Sequence, residues 1–126
     1  MSGLILDTSI IIELERGNRN IIQKMDELKT KYPAPPKISF ITYFEFIYGL
    51  RKMSAKNKEK SLAFVGLFEV IQTTKKTANF LALLKEKYEL SLTDLFIASQ
   101  TIEDKGILIT KDKDFEGISE IDKIFF

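Results

Sequence analysis

Residues 4–9, Leu4-Ile5-Leu6-Asp7-Thr8-Ser9, decide the fold, because three apolar residues run directly into an acid that two hydroxyl residues follow. A short apolar run bounded by polar residues predicts a buried strand. A helix is expected to begin near Thr8 or Ser9, so Asp7 would lie where the strand ends. Ligand sites of open parallel sheets lie outside such strand ends. The simpler alternative is that Asp7 only caps the helix.

Strand patterns alternate with helical patterns along the rest of the chain. This order predicts an α/β fold with a central, mainly parallel sheet of about four or five strands, flanked by helices on both faces. We expect one domain over residues 1–126. After the first strand and helix, the predicted elements are a helix Asn20–Lys31, a strand Lys37–Ile41, helices Thr42–Met53 and Ser54–Phe68, a strand Glu69–Gln72, a helix Lys75–Glu89, a helix from Ser91 or Thr93 to about Asp104 that Gly106 ends, a strand Ile107–Ile109 and an edge strand Ile121–Phe126.

The composition excludes several kinds of catalysis. The chain has no histidine and no cysteine, so imidazole acid–base catalysis, thiol nucleophiles and zinc sites built from these residues are excluded. A net charge of +1 gives no strong argument for or against nucleic acid. No signal sequence or membrane-spanning stretch is evident, so we expect a soluble cytoplasmic protein.

Acidic residues recur after predicted strands and at predicted helix starts. Thr42-x-x-Glu45 and Ser91-x-x-Asp94 have the form of capping boxes, which would put both acids in the first turns of their helices. Each acid alone is explained as a cap or a solvated turn residue. Together, several carboxylates at one sheet edge would repel one another unless a cation compensates them, and Mg²⁺ or Mn²⁺ is the cation that suits oxygen ligands. The acids in question are Asp7, Glu45, Asp94, Asp112 and Asp114.

Four short motifs in this order resemble the PIN-domain nucleases, and among them most closely the VapC-type toxins of toxin–antitoxin pairs. The motifs are an apolar strand ending in Asp7-Thr8-Ser9, T-x-x-E-x-x-x-G-L over 42–50, T-D-L-x-I-A over 93–98 and T-x-D-x-D-F over 110–115. The resemblance implies a metal-dependent endoribonuclease that uses Mg²⁺ or Mn²⁺. By the same resemblance Asp7, Glu45, Asp94 and Asp112 match the metal-binding and catalytic acids, while Ser9, Thr110 and Asp114 match supporting positions. Whether Asp112 or Asp114 lies closer to the metal stays open at this point.

The resemblance also implies partners, namely RNA as substrate, a cognate VapB-type antitoxin as inhibitor and a second copy of the chain. A homodimer agrees with the number of aromatic residues, of which Phe44, Tyr48, Phe64 and Phe68 exceed what a small core needs, although core packing is the alternative. A dehalogenase-type phosphotransferase would need a second Asp at position 9, which is Ser, and a receiver domain would need an acidic pair after the first strand. The alternative from a different functional class is an inactive PIN scaffold that only binds RNA or a protein.

Overall fold

A sheet of five strands forms the centre of this computed structural model, which describes residues 3–126. The strands are β1 (Leu4–Leu6), β2 (Lys37–Ser39), β3 (Glu69–Ile71), β4 (Ile107–Thr110) and β5 (Asp122–Phe125). Their order is β3-β2-β1-β4-β5, and every neighbouring pair is parallel. The predicted fold class is therefore confirmed, and the last strand lies at an edge as expected. Met1 and Ser2, which the predicted domain includes, lie outside the described residues.

Helices cover both faces of the sheet. They are α1 (Thr8–Glu15), α2 (Arg19–Lys31), α3 (Phe40–Gly49), α4 (Ala55–Val65), α5 (Lys75–Lys87) and α6 (Leu92–Asp104), with 3₁₀ turns at Leu50–Lys52 and Lys113–Gly117. Side chains of β1 alternate between the faces, so Leu4 and Leu6 join the core under α1–α4, and Ile5 joins the core under α5 and α6. No helix within residues 3–126 has the length and apolar character needed to cross a bilayer.

The start of α3 differs from the prediction. Ser39, not Thr42, is the N-cap, and its side chain accepts a hydrogen bond from the backbone N–H of Ile41. Thr42 therefore lies inside the helix, fully buried, and the predicted capping box with Glu45 does not form. Glu45 is the sixth residue of α3 and so belongs to its second turn, not its first. The Thr-x-x-Glu spacing fits a cap and a helix interior equally well, so it could not decide where the helix begins.

α6 ends at Asp104 as predicted, but the left-handed residue that ends it is not the predicted Gly106. The residue with a positive φ is Lys105, at 56°, whereas Gly106 follows it without a positive φ. Gly106 is needed for another reason, because a Cβ atom there would lie 2.6 Å from Cδ1 of the buried Ile5. The start of α6 is partly as predicted, since Ser91 Oγ accepts from the N–H of Asp94, which makes Ser91 the N-cap.

Candidate functional site

The register of the sheet brings Asp7 to the middle of the edge where the strands end. Leu6 pairs with Ile38 on one side and with Ile109 on the other, so Asp7, the next residue, lies between the ends of β2 and β4. The N–H of Asp7 donates to the carbonyl of Ile109 at 3.2 Å. The edge lies outside the carboxyl ends of β1, β2 and β4, which is where parallel sheets place their ligand sites.

Asp7 is a buried carboxylate that three donors hold. Ser9 Oγ donates to its Oδ1 at 2.7 Å, the N–H of Ile10 donates to the same oxygen at 3.1 Å, and Thr110 Oγ1 donates to its Oδ2. Asp7 is thus also the N-cap of α1, so the capping alternative describes part of its role. Burial raises the pKa of Asp7 above the ordinary value of 3.8, against these hydrogen bonds, and the charge of Asp112 raises it further.

Glu45 reaches the same cleft from α3. Its Oε1 accepts a hydrogen bond of 2.8 Å from Thr8 Oγ1, a contact between residues that are 37 positions apart. The sequence pattern marks the hydroxyl of Thr8 only because Thr8 follows an acid, and it does not predict a hydrogen-bond partner for that hydroxyl. The role of this hydroxyl depends on how α1 packs beside α3, and a local sequence pattern holds no information about that packing.

Asp94 and Asp112 complete the cleft from α6 and from the segment after β4. Burial raises the pKa of Asp94, with the nearby charge of Asp112 as the next cause. The N–H of Asp112 donates at 2.9 Å to Thr110 Oγ1, so this one hydroxyl contacts both Asp112 and Asp7. Carboxylate oxygens of Asp94, Asp112 and Asp114 lie within 4.8 Å of one another.

The structure thus brings four predicted acids to one cleft and places the fifth beside it. Asp112 lines the cleft and is half-buried, whereas Asp114 is exposed and close to Asp94 and Asp112. Among residues 3–126, no lysine or arginine lines the cleft. Its lining residues are Asp7, Thr8, Ser9, Ile12, Glu45, Thr93, Asp94, Ile97 and Asp112.

The donor set suits a hard divalent cation. Every polar side chain that lines the cleft offers oxygen, and carboxylates are the preferred ligands of Mg²⁺ and Mn²⁺. The raised pKa values of Asp7 and Asp94 show that the cleft destabilises its own negative charge, which a bound cation would offset.

Comparison with known protein families assigns the class of this protein. The PIN domain family matches residues 4–121, so the chain belongs to this family. Comparison with curated proteins gave no match.

Solved structures that are similar to this chain include toxin–antitoxin proteins, several of them VapBC proteins. A toxin–antitoxin complex from Klebsiella pneumoniae has a chain with 27% identity and a TM-score of 0.79, over 94% of this chain and 95% of that one. DNA-bound VapBC from Salmonella typhimurium gives 25% identity and a TM-score of 0.77, over 99% and 98% of the two chains. VapBC2 from Rickettsia felis, bound to a DNA fragment from its promoter, gives a TM-score of 0.80 over 98% of each chain, and at 20% identity it supports the fold alone. The predicted resemblance is therefore confirmed.

Proposed function

We propose that this protein is a metal-dependent endoribonuclease and the toxin of a VapBC-type toxin–antitoxin pair, acting in the cytoplasm. One observation carries the enzymatic part of the proposal: four carboxylates from four different elements converge on one cleft that no described lysine or arginine neutralises. A purely structural explanation accounts for each acid alone but not for their convergence, because clustered like charges destabilise a fold unless something binds them.

The side chains have distinct roles in this proposal. Asp7, Glu45, Asp94 and Asp112 hold Mg²⁺ or Mn²⁺, and Asp114 adds negative charge beside them. When bound, the cation supplies an activated water and stabilises charge on the leaving oxygen during phosphodiester hydrolysis. Ser9 and Thr110 orient Asp7 through the hydrogen bonds that they donate, and these bonds favour its ionised form against the effect of burial.

Metal removal and replacement test the enzymatic proposal. We expect purified protein to cleave RNA with Mg²⁺ or Mn²⁺, to lose cleavage in EDTA and to regain it when excess cation is restored. A partner-free preparation is needed, because a bound inhibitor would mimic inactivity. RNA binding without cleavage at any cation concentration would instead favour a PIN scaffold that only binds.

An antitoxin would bind at the cleft and along the groove beside it. The similar solved structures from Klebsiella pneumoniae and Salmonella typhimurium are a toxin–antitoxin complex and a VapBC complex, which supports a partner of this kind. Between α1 and α3, a groove of about 210 Å³ shares Glu45 with the cleft and has an apolar wall that includes Ile12, Phe46 and Leu50. Its other charged residues are Arg16, whose side chain is exposed, and Glu15, whose Oε2 is buried and has no hydrogen-bond partner within the described residues. An amphipathic helix with Arg or Lys side chains would match this surface.

Neutralising the acids tests this mode of inhibition. If cationic side chains of the partner pair with the carboxylates, a variant with Asp7→Asn, Glu45→Gln and Asp94→Asn should bind the antitoxin at least about tenfold more weakly, since charge-assisted pairs are among the strong hydrogen bonds. The matched control replaces three exposed acids far from the cleft. Equal affinity of the triple variant and the wild type would exclude inhibition through the acidic cleft.

A homodimer would use the exposed aromatic residues of α3. Phe44 and Tyr48 stack on each other with ring centroids 5.9 Å apart, and more than half of each remains exposed. Phe64 and Phe68 were predicted to share this surface, but they pack against the core under α1–α4 and are only partly exposed. We expect Phe44→Ser with Tyr48→Ser to lower the sedimentation coefficient to that of a monomer, and exposed Ile22→Ser to leave it unchanged. A wild-type monomer at micromolar concentration would contradict the proposal.

A further inference from the structure

Thr8 follows the first acid of the cleft in sequence, yet its hydroxyl contacts an acid of a different element. Its Oγ1 donates to Glu45 Oε1 at 2.8 Å, which joins the first turn of α1 to the second turn of α3. Thr8 and Glu45 both line the cleft, and each is half-buried. The bond is therefore partly shielded from water, where a charge-assisted hydrogen bond contributes more than at the surface.

The orientation of the Glu45 carboxylate depends on one donor, whereas several donors orient the carboxylate of Asp7. Within residues 3–126, Thr8 makes the one hydrogen bond to the Glu45 side chain, whereas Asp7 accepts three. A glutamate side chain also has one more rotatable bond than an aspartate, so fixing its carboxylate costs more conformational entropy. Without Thr8, nothing described in the cleft would hold Glu45 in one orientation.

A second hydroxyl, that of Thr42, contacts the hydroxyl of Thr8. Thr42 is fully buried, and its Oγ1 lies 3.2 Å from Thr8 Oγ1. A hydroxyl has one hydrogen, and an ionised carboxylate only accepts, so the hydrogen of Thr8 goes to Glu45. Thr42 must then donate to Thr8. The resulting chain from Thr42 through Thr8 to Glu45 polarises each successive bond in the same direction.

We propose that Thr8 is a positioning residue, which orients the Glu45 carboxylate toward the cleft and thereby strengthens the binding of a divalent cation there. The inference rests on the proposed function, in which Glu45 is a metal ligand. Thr8 binds Oε1 and leaves Oε2 without a partner among the described residues, so one oxygen of the carboxylate is held and the other is available. Groups that orient ligands in this way commonly change metal affinity 10- to 100-fold, as an order of magnitude.

Calorimetric titration of the metal-free protein with Mn²⁺ measures the effect without relying on cleavage. Thr8→Val keeps the shape and removes the hydroxyl, so we expect roughly tenfold or greater weakening of Mn²⁺ binding. Thr8→Ser keeps the hydroxyl and should bind Mn²⁺ with an affinity within about twofold of that of the wild type. Thr30→Val is the matched control, because Thr30 is exposed near the end of α2, where its hydroxyl bonds only to a backbone carbonyl.

A double-mutant cycle separates positioning from general damage to the cleft. Because Thr8 acts through Glu45, Thr8→Val should weaken Mn²⁺ binding in the wild type but not in a Glu45→Gln background. Equal weakening in both backgrounds would show that the substitution disturbs the cleft as a whole, and would overturn the inference. If circular dichroism shows that Thr8→Val does not fold, Thr8→Ala takes its place in the cycle, and it too should weaken Mn²⁺ binding in the wild type but not in the Glu45→Gln background.

The same titrations distinguish this inference from the proposed function. If Glu45→Gln weakens Mn²⁺ binding and Thr8→Val does not, the metal site stands and Thr8 has no positioning role. If the wild type does not bind Mn²⁺, or if Glu45→Gln binds it as tightly as the wild type, then Glu45 is not a ligand and the inference is wrong together with that part of the proposed function.

Discussion

Gln100 joins α6 to two other elements of the fold, and its replacement by methionine should destabilise the protein. The residue is fully buried in α6. Its Oε1 accepts from Ser39 Oγ at 2.6 Å and from the N–H of Phe40 at 2.7 Å, while its Nε2 donates to the carbonyls of Ile71 and Gln72 at 3.2 and 3.3 Å. It thus links the helix that carries Asp94 to the start of α3 and the end of β3.

The cost follows from the groups that lose their partners. Methionine fills a similar length but can replace neither the acceptor nor the donor. Ser39 and Ile71 are buried, so the hydroxyl hydrogen of Ser39 would lose its acceptor and the carbonyl of Ile71 would lose its donor, at about 1–3 kcal/mol each. Phe40 and Gln72 are exposed, and water can replace their lost bonds in part. We expect a total loss of about 3 kcal/mol in the free energy of unfolding, a large share of the roughly 5–15 kcal/mol typical of a domain.

Urea unfolding in the absence of metal measures this loss. Gln100→Met should lower the transition midpoint without changing the slope, because the unfolded state is the same. Gln23→Met, at an exposed position in α2, is the matched control and should change stability by less than about 0.5 kcal/mol. A Gln100→Met protein whose stability equals that of the control would refute the reasoning.

Two further substitutions test the electrostatics and the packing. Burial raises the pKa of Asp7, so its ionised form destabilises the metal-free fold above that pKa. Asp7→Asn should therefore be more stable than wild type at neutral pH in EDTA. This advantage should shrink as the pH falls toward 3.8, the ordinary pKa of an aspartate. Thermal melts across this pH range check it, and a constant difference would contradict it. Gly106→Ala should cost about 1–3 kcal/mol in urea unfolding, because the new Cβ would lie 2.6 Å from Ile5 Cδ1 in the core. Gly117→Ala, whose added Cβ meets nothing within 4 Å, is its control, and equal stability of the two variants would count against the packing argument.

The sheet and its central acid could be predicted because their signals are local. An apolar run that ends in an acid contains both the strand and the position of Asp7, and parallel topology then follows from the alternation of strands with helices. The convergence of the other acids on one edge follows from the same topology. The PIN-like motifs added the identities of the residues, but not their distances.

The contacts that Thr8 and Gln100 make could not be predicted, because they join distant parts of the chain. Thr8 and Glu45 are 37 positions apart, and Ser39 and Gln100 are 61 apart. Local spacing also misplaced the start of α3, since it suggested Thr42 as the cap where Ser39 is the cap. In each case the partner is chosen by how helices pack on the sheet, which no short sequence window contains.

Cleavage of labelled RNA by single-site variants tests the central claim most directly. With Mn²⁺ in excess, Asp94→Asn should lower the cleavage rate by about two orders of magnitude or more, since the cation loses a charged ligand, and EDTA should abolish cleavage by the wild type. Asp26→Asn, which removes an exposed aspartate of α2, should cleave at the wild-type rate. Wild-type cleavage that persists in EDTA, together with an Asp94→Asn variant as fast as Asp26→Asn, would contradict a metal-dependent mechanism at this cleft.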